Sequence, residues 1–280
     1  MNLKSIPNTK QFFSNTLKQN NILLEKEVTD LPTAKPNHTS CMGYDVFEKS
    51  LEHLCLSKKT LITTINQYSY CIAKKDIAFK KALTESDILL PDGIGIVKAA
   101  KFIEGKTIKK IAGADIHDYL LKKVNQEHGS CFYLGASKST LEKIEKRINK
   151  EYKNISVATY SPPFKATFDN KDIAEMIEAV NKFNPDVLFV GMTAPKQEKW
   201  SHKYSNELNA KIICSIGAVF DFYAGTVSRP NQFWIDMNLE WLGRLIREPR
   251  RMWKRYIYYG IIFLGYLIKE KFYFVIKKRS

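Results

Sequence analysis

The chain of 280 residues is 44% apolar and carries 44 lysines and arginines against 29 acidic residues, a formal charge of +15. That apolar content excludes a disordered tail, and the length allows one large or two small domains. The charge calls for a polyanionic partner, whether nucleic acid, an anionic membrane surface or a phosphorylated substrate, and does not choose among them.

The amino end, MNLKSIPNTKQFF, lacks the apolar core of a secretory signal, which predicts a protein that stays in the cytoplasm. Residues 1–40 are polar and read as an irregular or weakly helical extension without chemistry. From Thr60 onward short β-rich runs alternate with helical patterns. TLITTIN, DILLPDG, SCFYLGA, NISVATY, PDVLFVG and KIICSIGAVF are the predicted strands. Between them lie helix-period segments such as Ile173, Met176, Ile177 and Val180, which share one face. This alternation predicts an α/β core over residues 41–238, with parallel strands and crossover helices.

Residues 239–280 change character. LEWLGRLIREPRRMWKRY sets Arg244, Arg247, Arg250, Arg251, Lys254 and Arg255 among Trp241, Leu245, Trp253 and Tyr256, and an apolar run continues to Ile268. That run is shorter than the ~20 residues of a spanning helix. Basic residues interleaved with aromatics predict an interfacial segment on anionic lipid. A carboxyl-terminal core helix with a solvated basic face and a true span tolerating Lys269 to Lys271 are the alternatives.

Cys41, Cys55, Cys71, Cys131 and Cys214 form no C-x-x-C pair and have no histidine at metal-ligand spacing, so they read as reduced and mostly buried thiols. GIGIVKAA lacks the third glycine of a dinucleotide fingerprint, and GASKST lacks the order of a phosphate-binding loop. No D-x-D stands at a strand end to hold a divalent ion, so neither metal nor cofactor is expected.

In an open parallel sheet, ligands bind beyond the carboxyl ends of the strands. Those ends read TIN, PDGIG, LGASKST, GMTAPKQE and GAVFDFYAG, which gathers glycines and polar residues where a site belongs. Alone, PDG is a turn tripeptide. Its place at a strand end, with glycines beyond it and Thr64 and Asn66 expected nearby, makes Asp92 a candidate reagent. Asp221 reads equally as a nucleotide contact or a loop hydrogen bonder, and Glu198 as a second acid or a helix-start carboxylate.

TTIN (Thr63–Asn66), LLPDGIGIV (Leu89–Val97), IAGAD (Ile111–Asp115), FYLGA (Phe132–Ala136), APKQE (Ala194–Glu198), GAVFDFYAG with Arg229-Pro230, and LEWLGRLIREPRR (Leu239–Arg251) together resemble, in order, the WecG/TagA/CpsF glycosyltransferases. The resemblance runs from about Gly43 to Tyr256. It implies a Rossmann-like parallel sheet flanked by helices and a helical carboxyl-terminal appendage that associates with the membrane. The implied enzyme works at the cytoplasmic face of a bacterial membrane, as a peripheral protein. It moves a sugar from a UDP-sugar donor to a polyprenyl-diphosphate-linked saccharide acceptor, with inversion and without a metal. N-acetylmannosamine or its uronic acid is the expected sugar, with a UDP-glucose transferase as the alternative. By position, Asp92 matches the family's proposed general base, with Thr64 beside it. Thr64 and Asn66 match the family's polar pocket residues, Gln197 matches the glutamine of its P-K-Q-E motif, and Lys109 or Lys110, of which Lys110 is the candidate taken, stands where relatives often carry arginine. Arg244, Arg247, Arg250 and Arg251 are the candidate cations for the departing diphosphate if the tail folds over the pocket.

A non-enzymatic nucleic-acid-binding protein is the rival class. The concentration of basic residues in a tail with apolar neighbours argues against it, and no nucleic-acid partner is expected. A homo-oligomer is left open.

Overall fold

The described residues of the computed structural model are 35–56, 58–227, 234, 237 and 239–279, without the side chains of Arg251, Lys278 and Arg279. The extension up to residue 34 and the Arg229-Pro230 step therefore lie outside the described residues.

A short antiparallel hairpin, β1 (His38–Cys41) and β2 (Tyr44–Phe47), comes first and turns through Met42 and Gly43, both at positive φ. It starts inside the stretch read as an extension, because its alternation of buried Thr39 and Cys41 with exposed Ser40 is carried by small polar side chains.

The six predicted strands form one parallel sheet: β3 (Thr60–Ile65), β4 (Ile88–Pro91), β5 (Ser130–Gly135), β6 (Ser156–Tyr160), β7 (Val187–Gly191) and β8 (Ile212–Ser215), in the order β4-β3-β8-β7-β5-β6. Both faces are covered, as an all-parallel sheet requires. Helices α1 (Gln67–Ala73) and α2 (Ile77–Thr84) lead from β3 to β4, and α3 (Ile94–Glu104) and α4 (Gly113–Gln126) from β4 to β5. Next come α5 (Lys138–Glu151), α6 (Asn170–Phe183), α7 (Lys196–Tyr204) and α8 (Gly217–Tyr223). Alternate strand residues serve opposite cores. Cys131 and Tyr133 pack with Ile116, Leu120 and Ile144, while Phe132 and Leu134 pack with Met176, Val180 and Trp200. Cys41, Cys71, Cys131 and Cys214 are buried free thiols and Cys55 is exposed.

KIICSIGAVF is one apolar run but two elements, since β8 ends at Ser215 and Gly217 opens α8. The apolar pattern persists because α8 buries Val219 and Phe220 against the sheet. At the ends of β5 and β7, Gly135 (φ +121) pairs with Gly191, and a Cβ on Gly135 would lie 2.1 Å from the Gly191 carbonyl oxygen. Gly135→Ala is therefore expected to destabilise the fold by about 3 kcal/mol, read as a lowered midpoint in urea unfolding at unchanged slope.

The C-terminal segment comprises α9 (Glu240–Arg247), α10 (Pro249–Trp253), a π-helical turn (Lys254–Tyr258) and α11 (Tyr259–Arg279). It belongs to the same compact unit as the sheet, Asn37–Ser280. The helix α11 runs straight through the Lys-Glu-Lys interruption, which pairs with the protein: Lys74 and Glu270 stand 3.5 Å apart, and Lys271 Nζ donates to the Ile103 carbonyl at 3.0 Å. Phe263 is buried edge-on against Tyr70. The opposite stripe, Ile257, Ile261, Leu264, Ile268 and Phe272, is exposed. The segment thus combines a packed core face with an unpacked apolar one. No helix among the described residues is long and apolar enough to cross a membrane.

Candidate active site

The carboxyl ends of β4, β3, β8 and β7 are neighbours in the sheet, and each brings one part of a polar cluster. Pro91 closes β4, and the Asp92 amide donates to the Ile65 carbonyl at 2.9 Å, which pins Asp92 to the end of β3. Gly93 follows at φ +106, a conformation that a side chain rarely adopts, and starts α3. The turn chemistry of PDG is real, and its product is a half-buried carboxylate facing the strand ends.

Asn66 caps α1. Its Oδ1 accepts from the Ser69 amide at 3.0 Å, Ser69 Oγ accepts from the Asn66 amide, and the Asn66 side chain also hydrogen-bonds Asp92. Thr64, half-buried on β3, lies in register with Leu90. Lys110 reaches the cluster because the next residue, Ile111, donates its amide to the Pro91 carbonyl at 3.0 Å.

The C-terminal segment supplies the rest. Glu240, in the first turn of α9, accepts from Arg244 Nη2 through Oε1, and its Oε2 stands 3.6 Å from Lys110 Nζ. The Arg244 guanidinium lies 4.7 Å from the centre of the Phe222 ring. The π-helical turn brings in Arg255, stacked over Tyr68 at 4.5 Å, and Tyr256, edge-on to Trp241.

Burial pushes the Asp92 carboxyl above its ordinary range. Arg244, Lys110 and the Asn66 hydrogen bond oppose that rise, and Glu240 adds to it. Burial likewise raises the Tyr256 phenol, which stays a neutral donor.

Gln197 binds protein rather than standing open. Its Oε1 accepts from the amides of Met192 and Gly217, both at 3.1 Å, and its Nε2 donates to Glu198 Oε1 at 2.8 Å. It ties the ends of β7 and β8 together, and Gly217 must be glycine because a Cβ there would lie 2.3 Å from both Gln197 Oε1 and the Met192 carbonyl oxygen. Glu198, in the first turn of α7, is buried, and burial pushes its carboxyl up to about 7. Asp221 takes a loop contact: its carbonyl accepts from the amides of Thr226 and Val227, and its Oδ1 from Thr226 Oγ1 at 3.4 Å.

Of the four predicted arginines, Arg244 lies in the cluster, Arg247 and Arg250 are exposed, and the Arg251 side chain is not among those described. Sequence reasoning misses Glu240, Arg255 and Tyr256 as site residues. The i,i+4 spacing of Glu240 and Arg244 is the available signal for the first; the pairing with Lys110 is long-range and leaves no local trace. Among the described residues no group of three or more His, Cys, Asp or Glu side chains is placed to share a metal.

A parallel sheet whose adjacent strand ends gather a carboxylate, amide donors and cations from two parts of the chain has the architecture of an α/β enzyme with its site at the strand ends. Comparison with known proteins makes the class specific. The chain belongs to the glycosyl transferase WecG/TagA/CpsF family, whose pattern matches residues 38–275. It is thus a glycosyltransferase. It is 31% identical over 246 residues, 87% of this chain and 91% of the relative, to the N-acetylglucosaminyldiphosphoundecaprenol N-acetyl-beta-D-mannosaminyltransferase of Bacillus subtilis strain 168. Relatives of the same name from Bacillus spizizenii W23 (32% over 203 residues, 72% of this chain and 77% of theirs) and Staphylococcus aureus MW2 (27% over 194 residues, 69% and 73%) are also similar.

Proposed function

We propose that this protein transfers N-acetylmannosamine, or its uronic acid, from a UDP-sugar to a polyprenyl-diphosphate-linked N-acetylglucosamine, with inversion, for teichoic acid or a related surface polysaccharide. The observation that carries the chemistry is Asp92, held at the end of β4 by the Ile65 carbonyl, bonded to Asn66 and facing Arg244 and Lys110. The relatives' names carry the sugar and the acceptor and favour N-acetylmannosamine over glucose.

The acceptor hydroxyl must lose a proton as it attacks the anomeric carbon opposite the departing UDP. Asp92 takes that proton. Its raised pKa makes it a stronger base than a free aspartate, at the cost of needing a higher pH to be ionised. Asn66 holds the carboxylate in place, and Thr64 orients the sugar or the acceptor. The diphosphate gains negative charge as its bond to the sugar breaks, and Arg244 and Lys110, fixed before substrate arrives, meet that charge. The donor nucleotide lies toward the loops after β5 and β7, where the chain leaves in opposite directions. Gln197 shapes that floor. Asp221, Arg247 and Arg251 are secondary candidates for donor contacts.

The exposed stripe of α11, with Trp253, Tyr258 and the exposed cations Arg250, Lys254 and Lys269 around it, docks on anionic lipid at the inner membrane face, where the acceptor resides. Replacing Ile261, Leu264 and Ile268 together by serine is expected to weaken co-sedimentation with vesicles of phosphatidylglycerol by at least about tenfold, while UDP release with a short-chain acceptor in solution persists.

Purified protein offered a panel of UDP-sugars and a short-chain N-acetylglucosaminyl diphospholipid tests the whole reading. UDP release and a disaccharide product with UDP-N-acetylmannosamine or its uronic acid are expected. Turnover with UDP-glucose alone would reassign the donor, and salt-sensitive RNA binding without any turnover would overturn the enzyme.

A further inference from the structure

We propose that Glu240 is a positioning residue of the transferase site, holding Lys110 and Arg244 on its two carboxylate oxygens so that one cation from the core and one from the C-terminal segment wait together for the donor's diphosphate. The inference rests on the transferase reading and adds to it a residue with no assigned part.

The geometry is specific. Glu240 is 9% exposed, so its charge is largely withdrawn from water and needs partners. It finds them on different elements: Arg244 one helical turn along α9, and Lys110 in the loop that Ile111 ties to β4. Arg244 and Lys110 are long, flexible side chains, each losing considerable rotamer freedom when fixed. A carboxylate that fixes both beforehand removes that loss from substrate binding and from the transition state. Phe222, under the Arg244 guanidinium, limits where that group can swing. Without Glu240, Arg244 would be free to swing toward Asp92, the other carboxylate on which its charge acts.

The charges also pair. Asp92 and Glu240 offset Arg244 and Lys110, and Arg255, over Tyr68, is a further cation beside them. The substrate's diphosphate then shares the two cations with Glu240 instead of having to assemble them. A ligand placed in a partly neutralised, preset array is bound less tightly than by bare cations, yet meets its partners already aligned when charge develops.

Glu240→Gln keeps the shape and removes the charge. The expected result, measured as UDP release with the short-chain acceptor, is a 10- to 100-fold loss of kcat/KM carried mainly by kcat, in line with the roughly 10²-fold penalty of misplacing reacting groups by about 1 Å. A second readout separates positioning from mere packing. Asp92 faces Arg244, Lys110, Glu240, Asn66 and Tyr256, and of these Glu240 raises its pKa while both cations lower it. Removing the Glu240 charge should therefore move the acidic limb of the kcat/KM profile to lower pH. In a Lys110→Met background, the further loss caused by Glu240→Gln should shrink, because the two residues act as a unit. Thermal unfolding of each variant identifies any that fails to fold, and Glu240→Ala gives an independent second loss of the charge. Unchanged kcat/KM with an unmoved acidic limb in a folded variant overturns the positioning role. Absence of turnover in the wild-type protein overturns the transferase reading itself, and with it this one.

Discussion

Asp92→Asn is expected to lower the rate of sugar transfer by about 10³-fold, within the range that a positioned general base contributes, with donor KM changed little. The amide keeps the size of the carboxylate and can remain at the end of β4 beside Asn66, so binding survives while the proton acceptor is lost. Stability should move the other way. The Asp92 pKa is raised in the folded protein, so at neutral pH the ionised carboxylate costs folding free energy, and that cost is relieved as pH falls through the raised value. The amide side chain resembles the protonated, uncharged carboxyl. The variant should thus be at least as stable as the wild type at neutral pH, with the difference narrowing in acid as the wild-type carboxyl protonates. Chemical denaturation at several pH values beside the UDP-release assay reads both effects. Normal turnover by Asp92→Asn would remove the proposed base.

The opposite directions of those effects explain why PDG is ambiguous in sequence. A proline, a capping residue and a glycine are what a turn needs, and here they do make a turn. What distinguishes a reagent from a cap is the company it keeps, and most of that company is distant along the chain. The parallel sheet is legible because buried strands announce themselves as β-branched runs. The placing of Asn66 and Asp92 near one another follows from the expected strand ends. The hairpin at His38–Phe47 is hidden by small polar side chains, and the start of α8 by an apolar run that does not change at the strand-to-helix boundary. The role of Gln197 as a tie between Met192 and Gly217 leaves no trace in sequence, because the Met192 amide is local but the Gly217 amide reaches it only when β8 folds beside β7. Local periodicity reports which face of an element is buried, and only the fold reports what that face meets.

The C-terminal segment illustrates the same limit. Its basic and aromatic interleaving predicts a surface for anions, yet gives no order among the arginines. Packing supplies one: Arg244 alone of those described is placed over Phe222, beside Glu240 and within the field of Asp92, while Arg247 and Arg250 face outward. The π-helical turn then shifts the helical phase, so that Arg255 and Tyr256 turn inward and Ile257 begins the outer stripe.

Arg244→Ala is accordingly expected to cost 10²- to 10³-fold in kcat, the usual effect of removing one fixed donor from a developing oxyanion. Arg244→Lys should recover only part of it, because an ammonium can neither stack flat on Phe222 nor offer the same fork of N–H groups to Glu240 and the diphosphate. The pH profile again distinguishes electrostatics from packing. Arg244 lowers the Asp92 pKa, so its removal should move the acidic limb of kcat/KM upward, opposite to the shift expected for Glu240→Gln. Deleting charges of opposite sign within one cluster and seeing the same titration move in opposite directions requires that Asp92, Glu240 and Arg244 act on one another across the junction of core and C-terminal segment. If both variants moved the limb the same way, or neither did, the group titrating in turnover would not be Asp92, and the base would have to be sought elsewhere in the site, with the buried Glu198 carboxyl the first to replace.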